Sequence, residues 1–237
     1  MQLDHVVILV RDLDSATQEW SSRGFTITPG GVHSDGQTHN ALICFRDGSY
    51  LELLAFRVSA PKHRWARYLG AWGPIDVCLA VEDMDAALAS LSQRGLNYIG
   101  PVEGGRERHD GVVLRWRGAF PPEDSGLPFL IQDLTPRVLR VPQGANTVHQ
   151  NAAVGIAQVR IGVPSLETAQ PAFDALLGRP EATPQARTYR LKGCSVYLHQ
   201  PESGSAEARF LAQRGSGPVA VTLAAPAPIV IRPEGLS

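Results

Sequence analysis

The chain has 237 residues and a net charge of −1, with 43% hydrophobic and 19% charged residues, an ordinary composition for a globular protein. With no basic tract, it does not fit a nucleic-acid partner, and no run of about 18 apolar residues is present to cross a membrane. Cys44, Cys78 and Cys194 are odd in number and fit no CxxC spacing. We therefore expect reduced thiols in a soluble, cytoplasmic protein.

The first predicted unit contains one helix and four strands. Residues 3–10 alternate as a strand, with apolar side chains on one face and His5 at the start of the other. A helix capped by Asp12 or Asp14 follows. Three more strands complete the unit, at 25–28, 40–45 and 50–54. The order β-α-β-β-β is thus predicted for residues 1–57.

This unit repeats along the chain. The segment Val10-Arg11-Asp12-Leu13-Asp14 recurs 71 positions later as Val81-Glu82-Asp83-Met84-Asp85, and a third copy begins at Val159. Internal repetition of this kind indicates a duplicated fold. We predict a connecting helix near residues 61–69 and a second unit over 73–134. The remainder, 135–237, is predicted to hold a third unit and only the first strand of a fourth.

Each unit leaves one face of its sheet uncovered by its own helix. Two units side by side would close a cup lined by their first and fourth strands, so the predicted fold is α+β, with paired βαβββ modules in residues 1–134. The inner face opens with a polar residue in each copy, namely His5, Asp76 and Gln158. Because the fourth unit is truncated, we predict that the third module is structural or that it pairs with a second copy in a homodimer. Such pairing would cover the sheet edge that the truncation leaves exposed.

Short motifs spread over most of residues 1–200 carry a family resemblance. They are Leu3-Asp4-His5-Val6-Val7, Asp12-Leu13-Asp14, Gly24-Phe25, Gly31-Val32-His33, Thr38-His39-Asn40, Gly48-Ser49-Tyr50-Leu51-Glu52-Leu53, Leu127-Pro128-Phe129-Leu130-Ile131 and His149-Gln150-Asn151-Ala152. With these motifs the chain resembles the glyoxalase-like branch of the vicinal oxygen chelate superfamily. That superfamily contains lyases, isomerases, dioxygenases and drug-sequestering proteins. The resemblance therefore implies the fold more strongly than any one reaction.

The resemblance also implies a divalent metal held by the first and fourth strands of the paired units. Carried over by position, His5 and Glu52 match the family's ligand types, and Asp76 becomes a third ligand or a base. The fourth-strand position of the second unit falls on Leu130, which cannot bind metal, with Gln132 two residues further on. Imidazole nitrogen and carboxylate oxygen together suit Zn²⁺, Ni²⁺, Mn²⁺ or Fe²⁺.

Several polar residues have two interpretations. Asp76 could instead be a polar lining residue or a hydrogen-bond partner of an imidazole. His33 and His39 flank a glycine-containing loop, where either could add a ligand or contact substrate, although a solvent-exposed loop histidine is favoured for both. His149 lies just ahead of the third unit and could cover the cup or belong to a turn.

The second unit adds candidates for an anionic, planar substrate. Arginine pairs with carboxylates through two hydrogen bonds, so arginines in the loop and third strand could bind such a group, with surface arginines as the alternative. The predicted substrate-binding residues are His39, Arg106, Arg108, Trp116, Gln132 and His149.

The sequence therefore favours a metal-dependent lyase or isomerase that acts on a small oxygen-rich substrate. In this interpretation His5 and Glu52 are ligands, or Glu52 is instead a general base that moves a proton from carbon next to a carbonyl. One alternative is a binding protein that encloses a drug-like ligand without turnover. A ring-cleaving dioxygenase is a further alternative, although Asp76 stands where such enzymes are expected to carry a second histidine.

Overall fold

Residues 1–108 and 110–236 are described by the computed structural model. The first module comprises strand β1 (Gln2–Leu9), helix α1 (Leu13–Ser22) and strands β2 (Thr28–His33), β3 (Thr38–Cys44) and β4 (Tyr50–Phe56). The second comprises β5 (Gly73–Ala80), α2 (Met84–Gln93), β6 (Ile99–Glu107), β7 (Val113–Phe120) and β8 (Phe129–Asp133). Together they form a closed barrel in the order β1-β4-β3-β2-β6-β7-β8-β5. The predicted α+β fold of paired βαβββ modules is confirmed.

The second half of the chain adds a separate sheet. A short helix α3 (Arg137–Arg140) precedes β9 (Gly155–Gly162), α4 (Leu166–Leu177), β10 (Glu181–Ala182), β11 (Ala186–Leu191), β12 (Cys194–His199), α5 (Ala206–Arg214), β13 (Gly217–Ala224) and β14 (Ile229–Ile231). Its six strands run in the order β10-β11-β12-β9-β13-β14. Strand β14, in the C-terminal tail, pairs with β13 and forms one edge of this sheet. None of the helices within residues 1–108 and 110–236 is long and apolar enough to span a bilayer.

The helix starts follow from local capping. The Asp12 side chain accepts a hydrogen bond from the backbone nitrogen of Ser15 at 2.8 Å, so Asp12 is the cap of α1. The repeat reproduces this cap 71 residues later, where Asp83 accepts from Ala86 at 3.0 Å. The two helices pack on the outer face of the barrel. There they share one continuous apolar core with strands of both halves of the chain.

Two predicted elements are placed differently. Strand β2 spans 28–33 rather than 25–28, because Pro29-Gly30-Gly31 does not end the strand. Gly30 is instead an extra residue between the pairs Pro29↔Ala41 and Gly31↔Asn40, which is a β-bulge. The connecting helix shortens to a single 3₁₀ turn at Ala66–Tyr68, because Trp65 and Tyr68 turn inward and pack in the barrel interior.

Candidate functional site

A cavity of about 320 Å³ opens inside the barrel. Its wall is mostly polar on the side of the first module and aromatic on the side of the second. The main polar residues are His5, His33, Thr38, Asn40 and Glu52, and the main aromatic ones are Trp65, Trp116, Phe120 and Phe129. The cavity therefore has one face suited to chemistry and one suited to a flat or apolar group.

Strand pairing brings His5 and Glu52 together. Strands β1 and β4 are parallel, with His5 opposite Tyr50 and Val7 opposite Glu52. Alternation then directs His5 and Glu52 into the barrel. His5 Nε2 lies 3.4 Å from Glu52 Oε2, and the two side chains are only 4% and 6% exposed. The structure thus places both residues side by side in the cavity, while their roles remain predictions.

His5 is oriented by a buried carboxylate. Its Nδ1 lies 2.6 Å from Oδ1 of Asp4, which leaves Nε2 to face Glu52. Arg140 donates two hydrogen bonds of 2.9 Å to Asp4 and one of 2.7 Å to the Tyr50 hydroxyl. Arg137 also donates to Asp4. Both arginines lie in α3, after the last barrel strand, so a segment outside the barrel fixes the base of the site.

Asn40 and His33 contact the other side of Glu52. Asn40 Nδ2 donates to Glu52 Oε1 at 2.6 Å, and its Oδ1 accepts from Arg106 at 3.2 Å. His33 Nε2 lies 3.5 Å from the same Oε1. Its Nδ1 lies 2.7 Å from the Thr38 hydroxyl, which fixes the ring. Two imidazoles and one amide therefore surround a single carboxylate.

The β-bulge in β2 is the reason that His33 points into the cavity. Thr28 lies opposite Leu42, and strict alternation from Thr28 would turn His33 outward. The extra residue Gly30 shifts the register by one, so that His33 faces inward beside Arg106. A one-residue insertion thus supplies a histidine that the sequence pattern assigns to a solvent-exposed loop.

The pKa values of Glu52 and His5 depend on the side chains that surround them. Burial alone raises the pKa of Glu52, but hydrogen bonds and charges from His33 and His5 outweigh it and hold the pKa well below its usual range. Burial alone lowers the pKa of His5, yet Tyr50, Cys78 and the Asp4 carboxylate raise it well above the usual range. Both shifts favour the charged forms of the two side chains.

Asp76 does not join this cluster. Its Oδ2 accepts hydrogen bonds from Arg64 and from the Trp65 indole, both at 2.8 Å. It lines a neighbouring cavity of about 250 Å³ and not the one that contains His5. The predicted third ligand is thus engaged with other partners, because the connecting segment folds against the start of β5.

The sequence analysis assigned Leu130 to the position that corresponds to Glu52, and this assignment is wrong by one residue. Val7 lies opposite Glu52, and the residue related to Val7 by the 71-residue offset, Cys78, lies opposite Phe129. Phe129 therefore occupies the position that corresponds to Glu52 and lines the cavity. Leu130 points outward into the apolar core.

The remaining predicted residues divide into two groups. Trp116 and Arg106 line the cavity, although Arg106 is buried and donates to Asn40 and to the Arg140 carbonyl. Four others lie outside it, which corrects their predicted contact with a substrate there: His39, Arg108, Gln132 and His149. Alternation explains His39, because Leu42 lies opposite Glu52 and only even-numbered residues of β3 share its face.

The other three residues outside the cavity bind backbone groups. Arg108 donates to the Leu139 carbonyl at 3.1 Å. Gln132 donates to the Glu82 carbonyl at 2.8 Å and accepts from Met84. His149 accepts a hydrogen bond from Thr26, and its other nitrogen lies 3.0 Å from the Cys44 carbonyl oxygen. Each of these contacts attaches a loop or helix end to the barrel.

Arg64 is a cavity residue that the sequence analysis did not select. Its guanidinium lies 4.2 Å from the Phe120 ring centroid, and one nitrogen binds Asp76. The other terminal nitrogen, Nη1, is buried and has no hydrogen-bond partner within the described parts of the chain. The sequence predicted a connecting helix for this segment and gave no indication that Arg64 lies beside the aromatic wall.

The donor atoms of the first module suit the metal that the resemblance implies. His5 offers an Nε2 and Glu52 offers a carboxylate oxygen 3.4 Å away, a pair that Zn²⁺, Ni²⁺, Mn²⁺ and Fe²⁺ accept. His33 Nε2 faces the other carboxylate oxygen and lies 3.4 Å from the Asn40 amide nitrogen. The corresponding positions of the second module do not suit a metal. Asp76 is bound by Arg64 and Trp65, and Phe129 has no donor atom.

A second group, of Asp4, His5 and Cys78, has one ligand atom from each residue within 4.8 Å of the others. Both Asp4 oxygens already accept hydrogen bonds from arginine. Burial raises the pKa of the Cys78 thiol to about 12. A metal there would have to displace these ion pairs and the proton of the thiol.

The third module has a polar cluster of its own. His199 Nε2 lies 2.6 Å from a carboxylate oxygen of Glu207, and Arg160 lies 3.8 Å from the same side chain. Gln158, the inward polar residue that the sequence analysis named in this module, is not a carboxylate. Helix α5 supplies one by folding over this face of the sheet.

Comparison with known proteins gives the family. A glyoxalase-like domain model matches residues 3–177. A hypothetical protein from Staphylococcus aureus has the same fold, with 17% identity and a TM-score of 0.71 over 84% of this chain and 86% of that one.

A mutant of 4-hydroxymandelate synthase from Streptomyces coelicolor is 14% identical, with a TM-score of 0.61 over 93% of this chain and 70% of the other. A fusion protein of a xylose isomerase-like TIM barrel and 4-hydroxyphenylpyruvate dioxygenase is 16% identical, with a TM-score of 0.56 over 94% of this chain and 36% of the other. No curated protein sequence matched the chain. Because this family model matches residues 3–177, the chain belongs to the glyoxalase-like domain family.

Proposed function

We propose that this protein is a metal-dependent lyase or isomerase that acts on a small, oxygen-rich substrate in the barrel cavity. The observation that carries the proposal is the convergence of His5 and Glu52, 3.4 Å apart, on the wall of an open cavity. A nitrogen and a carboxylate at this distance can share one divalent ion or divide the roles of acid and base.

The side chains around this pair have distinct tasks in the proposal. A bound divalent ion would polarise neighbouring substrate oxygens as a Lewis acid. Asp4 orients His5, and Asn40 holds one oxygen of Glu52 while the other stays beside His5. Glu52 binds the metal or takes a proton from carbon next to a carbonyl.

The opposite wall suggests the shape of the substrate. Trp116, Phe120 and Phe129 present flat apolar surfaces, and Arg64 offers a guanidinium with one unpartnered nitrogen among the described residues. Because arginine binds carboxylates and aromatic rings stack on planar groups, we propose a planar or aromatic acid as substrate. The buried, unpaired cysteines fit a reducing compartment, so we propose that the protein acts in the cytoplasm.

Metal binding is the first test. Unfolding of the purified protein is followed with and without Zn²⁺, Ni²⁺, Mn²⁺ and Fe²⁺, and one ion at 100 times its Kd should stabilise the fold by about 2.7 kcal/mol. His5→Ala should abolish the response. His39→Ala, a histidine outside the cavity, is the matched control and should keep it. If the wild type responds to none of these ions, the proposal fails.

A ligand-binding protein without turnover is the second candidate. It is favoured by Phe129, an aromatic ring at the place that corresponds to Glu52 in the duplicated half. The two candidates differ in proton transfer. An isomerase or lyase should exchange the hydrogen next to the carbonyl of a small 2-oxo or 2-hydroxy acid for deuterium from D₂O, and Glu52→Gln should stop the exchange, whereas a binding protein would give none.

A further inference from the structure

Three arginines of the described chain line the barrel cavity, and two of them are paired with carboxylates. Arg64 lies 2.8 Å from an oxygen of Asp76. Arg140 lies 2.9 Å from an oxygen of Asp4 and 2.5 Å from one of Asp133. The positive charge of each of these two arginines is therefore balanced within the protein.

Arg106 is the third arginine, and it is buried with only 4% of its surface exposed. Its Nη1 donates to Asn40 Oδ1 at 3.2 Å, and its Nη2 donates to the carbonyl oxygen of Arg140 at 3.0 Å. Both acceptors are uncharged, and within residues 1–108 and 110–236 the guanidinium forms no ion pair with a carboxylate. Arginine stays protonated in proteins, and a buried charge without a counter-charge is costly.

The pKa values of the two deeply buried arginines reflect this difference. Burial lowers the pKa of Arg106 by more than the nearby Tyr50 and Glu52 raise it. Burial also lowers the pKa of Arg140, but there the charge of Asp4 outweighs it and the pKa lies well above its usual range. Arg106 therefore brings a positive charge to the cavity wall that no adjacent carboxylate neutralises.

Asn40 fixes this guanidinium and keeps it apart from the Glu52 carboxylate. Its Oδ1 accepts from Arg106, while its Nδ2 donates to Glu52 Oε1 at 2.6 Å. A Cβ at Gly30 would lie 1.9 Å from this Oδ1 and 2.5 Å from Arg106 Nη1. The bulge residue Gly30 thus leaves the space that the hydrogen bond between Asn40 and Arg106 occupies.

A flat aromatic surface lies next to Arg106 on the same face of β6. Gly104 precedes Arg106 by two residues, so both positions face the cavity. A Cβ at Gly104 would lie 2.5 Å from Nε1 of Trp116, so the absence of a side chain there lets the indole pack against the strand. The cation and the ring therefore stand side by side, as the carboxylate and the ring of an aromatic acid require.

From these contacts we propose that Arg106 binds the carboxylate of an aromatic acid whose ring packs on Trp116. The inference deepens the proposed function and rests on it, since it takes the barrel cavity as the substrate site. It selects Arg106 over Arg64, because the charge of Arg64 is already balanced by Asp76.

Benzoate and benzamide are matched probes, because they share a ring and nearly the same shape but differ in charge. Their Kd values are measured by isothermal titration calorimetry for the wild type, Arg106→Met and Arg106→Lys, in EDTA and without added metal. Arg108→Met is the control, since Arg108 lies outside the cavity and pairs with Asp110. The readout is the ratio of the two Kd values, because a change that only distorts the cavity weakens both probes alike.

We expect the wild type to bind benzoate at least about 10-fold more tightly than benzamide, the lower end of the effect of a hydrogen bond to a charged group. Arg106→Met should remove this preference, and Arg106→Lys, which keeps the charge, should retain part of it. Arg108→Met should match the wild type. If Arg106→Met keeps the full preference for benzoate, the carboxylate binds elsewhere and the inference is overturned.

The wild type alone can overturn the inference, even if the variants do not fold. Equal binding of benzoate and benzamide, or binding of neither, would do so. The response to metal and the exchange in D₂O test the proposed function separately. A wild type that prefers benzoate but responds to no metal would keep this inference and leave the ligand-binding protein as the function.

Discussion

Arg140 stabilises the site from outside the barrel, and its contribution can be measured at the scale of one residue. Its guanidinium is 3% exposed and pairs with Asp4, which is fully buried, and with Asp133. Burial alone raises the pKa of Asp4, but the charge and hydrogen bonds of Arg140, with those of His5, hold it well below the usual range. Arg140 is therefore the main charged partner that keeps the carboxylate beneath His5 ionised.

Arg140→Met should lower the free energy of unfolding by about 3–5 kcal/mol, because it leaves the Asp4 charge buried with fewer partners. Arg115→Met is the control. Arg115 is 59% exposed and pairs with an exposed Glu103, so its loss should cost less than about 1 kcal/mol. Urea denaturation of both variants gives the comparison, and equal losses would contradict this account of Asp4.

Glu207 gives a pH-dependent prediction in the third module. Burial alone raises the pKa of Glu207, but the hydrogen bond and charge of His199, with the charge of Arg160, lower it below its usual value. A lowered pKa in the folded protein means that the ionised carboxylate stabilises the fold above the unfolded pKa, near 4.3. This stabilisation is lost as the pH falls through the lower, folded value.

Glu207→Gln should therefore be less stable than the wild type at pH 7, and the difference should shrink as the pH falls below about 4.3. Melting temperatures of both proteins from pH 7 to pH 3 test this. Glu202→Gln is the control, since Glu202 is exposed and its carboxylate makes no ion pair with the described residues. A Glu207→Gln difference that is constant across this range would contradict the assignment.

At the scale of elements, strand β2 shows which side-chain directions a sequence pattern predicts and which it does not. Alternation correctly directs His5 and Glu52 inward, because regular strands follow the period of two. The same rule fails for His33 because of the bulge. His39 obeys the rule, but the sequence analysis placed it in a loop and not in β3. A glycine pair can end a strand or insert a bulge, and only the partner strand decides which occurs. In the same way, the register of β8 depends on pairing with β5, which exchanges Leu130 for Phe129.

Gly31→Ala tests the bulge directly. Gly31 has a φ of +149°, and an added Cβ would lie 2.1 Å from the carbonyl oxygen of Glu107, so we expect a loss of about 2–4 kcal/mol in unfolding free energy. Gly36→Ala is the control, because Gly36 also has a positive φ, of +71°, but open space around it. It should cost only about 1–2 kcal/mol. Equal effects would show that φ alone matters.

At the scale of the whole molecule, the repeat in the sequence correctly predicts the duplication, because each copy keeps its own strand, cap and apolar helix face. It does not predict how the segment after residue 134 is used. That segment has no periodicity, yet Arg137 and Arg140 bind Asp4, and His149 and Asn151 bind the end of α1 and nearby strands. Long-range ion pairs of this kind leave no local pattern.

Two fragments test the role of this segment. A chain of residues 1–134 keeps every barrel strand but loses both arginines, whereas 1–152 retains them. We expect the longer fragment to be more stable by about 3–5 kcal/mol, because the shorter one buries the Asp4 charge without its arginine partners. Circular dichroism melts of the two fragments provide the measurement. Cooperative unfolding of 1–134 at the same temperature as 1–152 would contradict the prediction.

The ring of Phe129 at the place that corresponds to Glu52 makes the barrel interior directional. In the cavity wall, the first half places His5 and Glu52, and the second places Trp116, Phe120 and Phe129 beside Arg106. If the proposed function holds, a bound molecule should have one preferred end-to-end orientation, with its oxygens toward the first half and its flat skeleton toward the second. The two equivalent ends of a symmetric compound would thus lie in different surroundings. Reaction would then be confined to the end nearest β1 and β4.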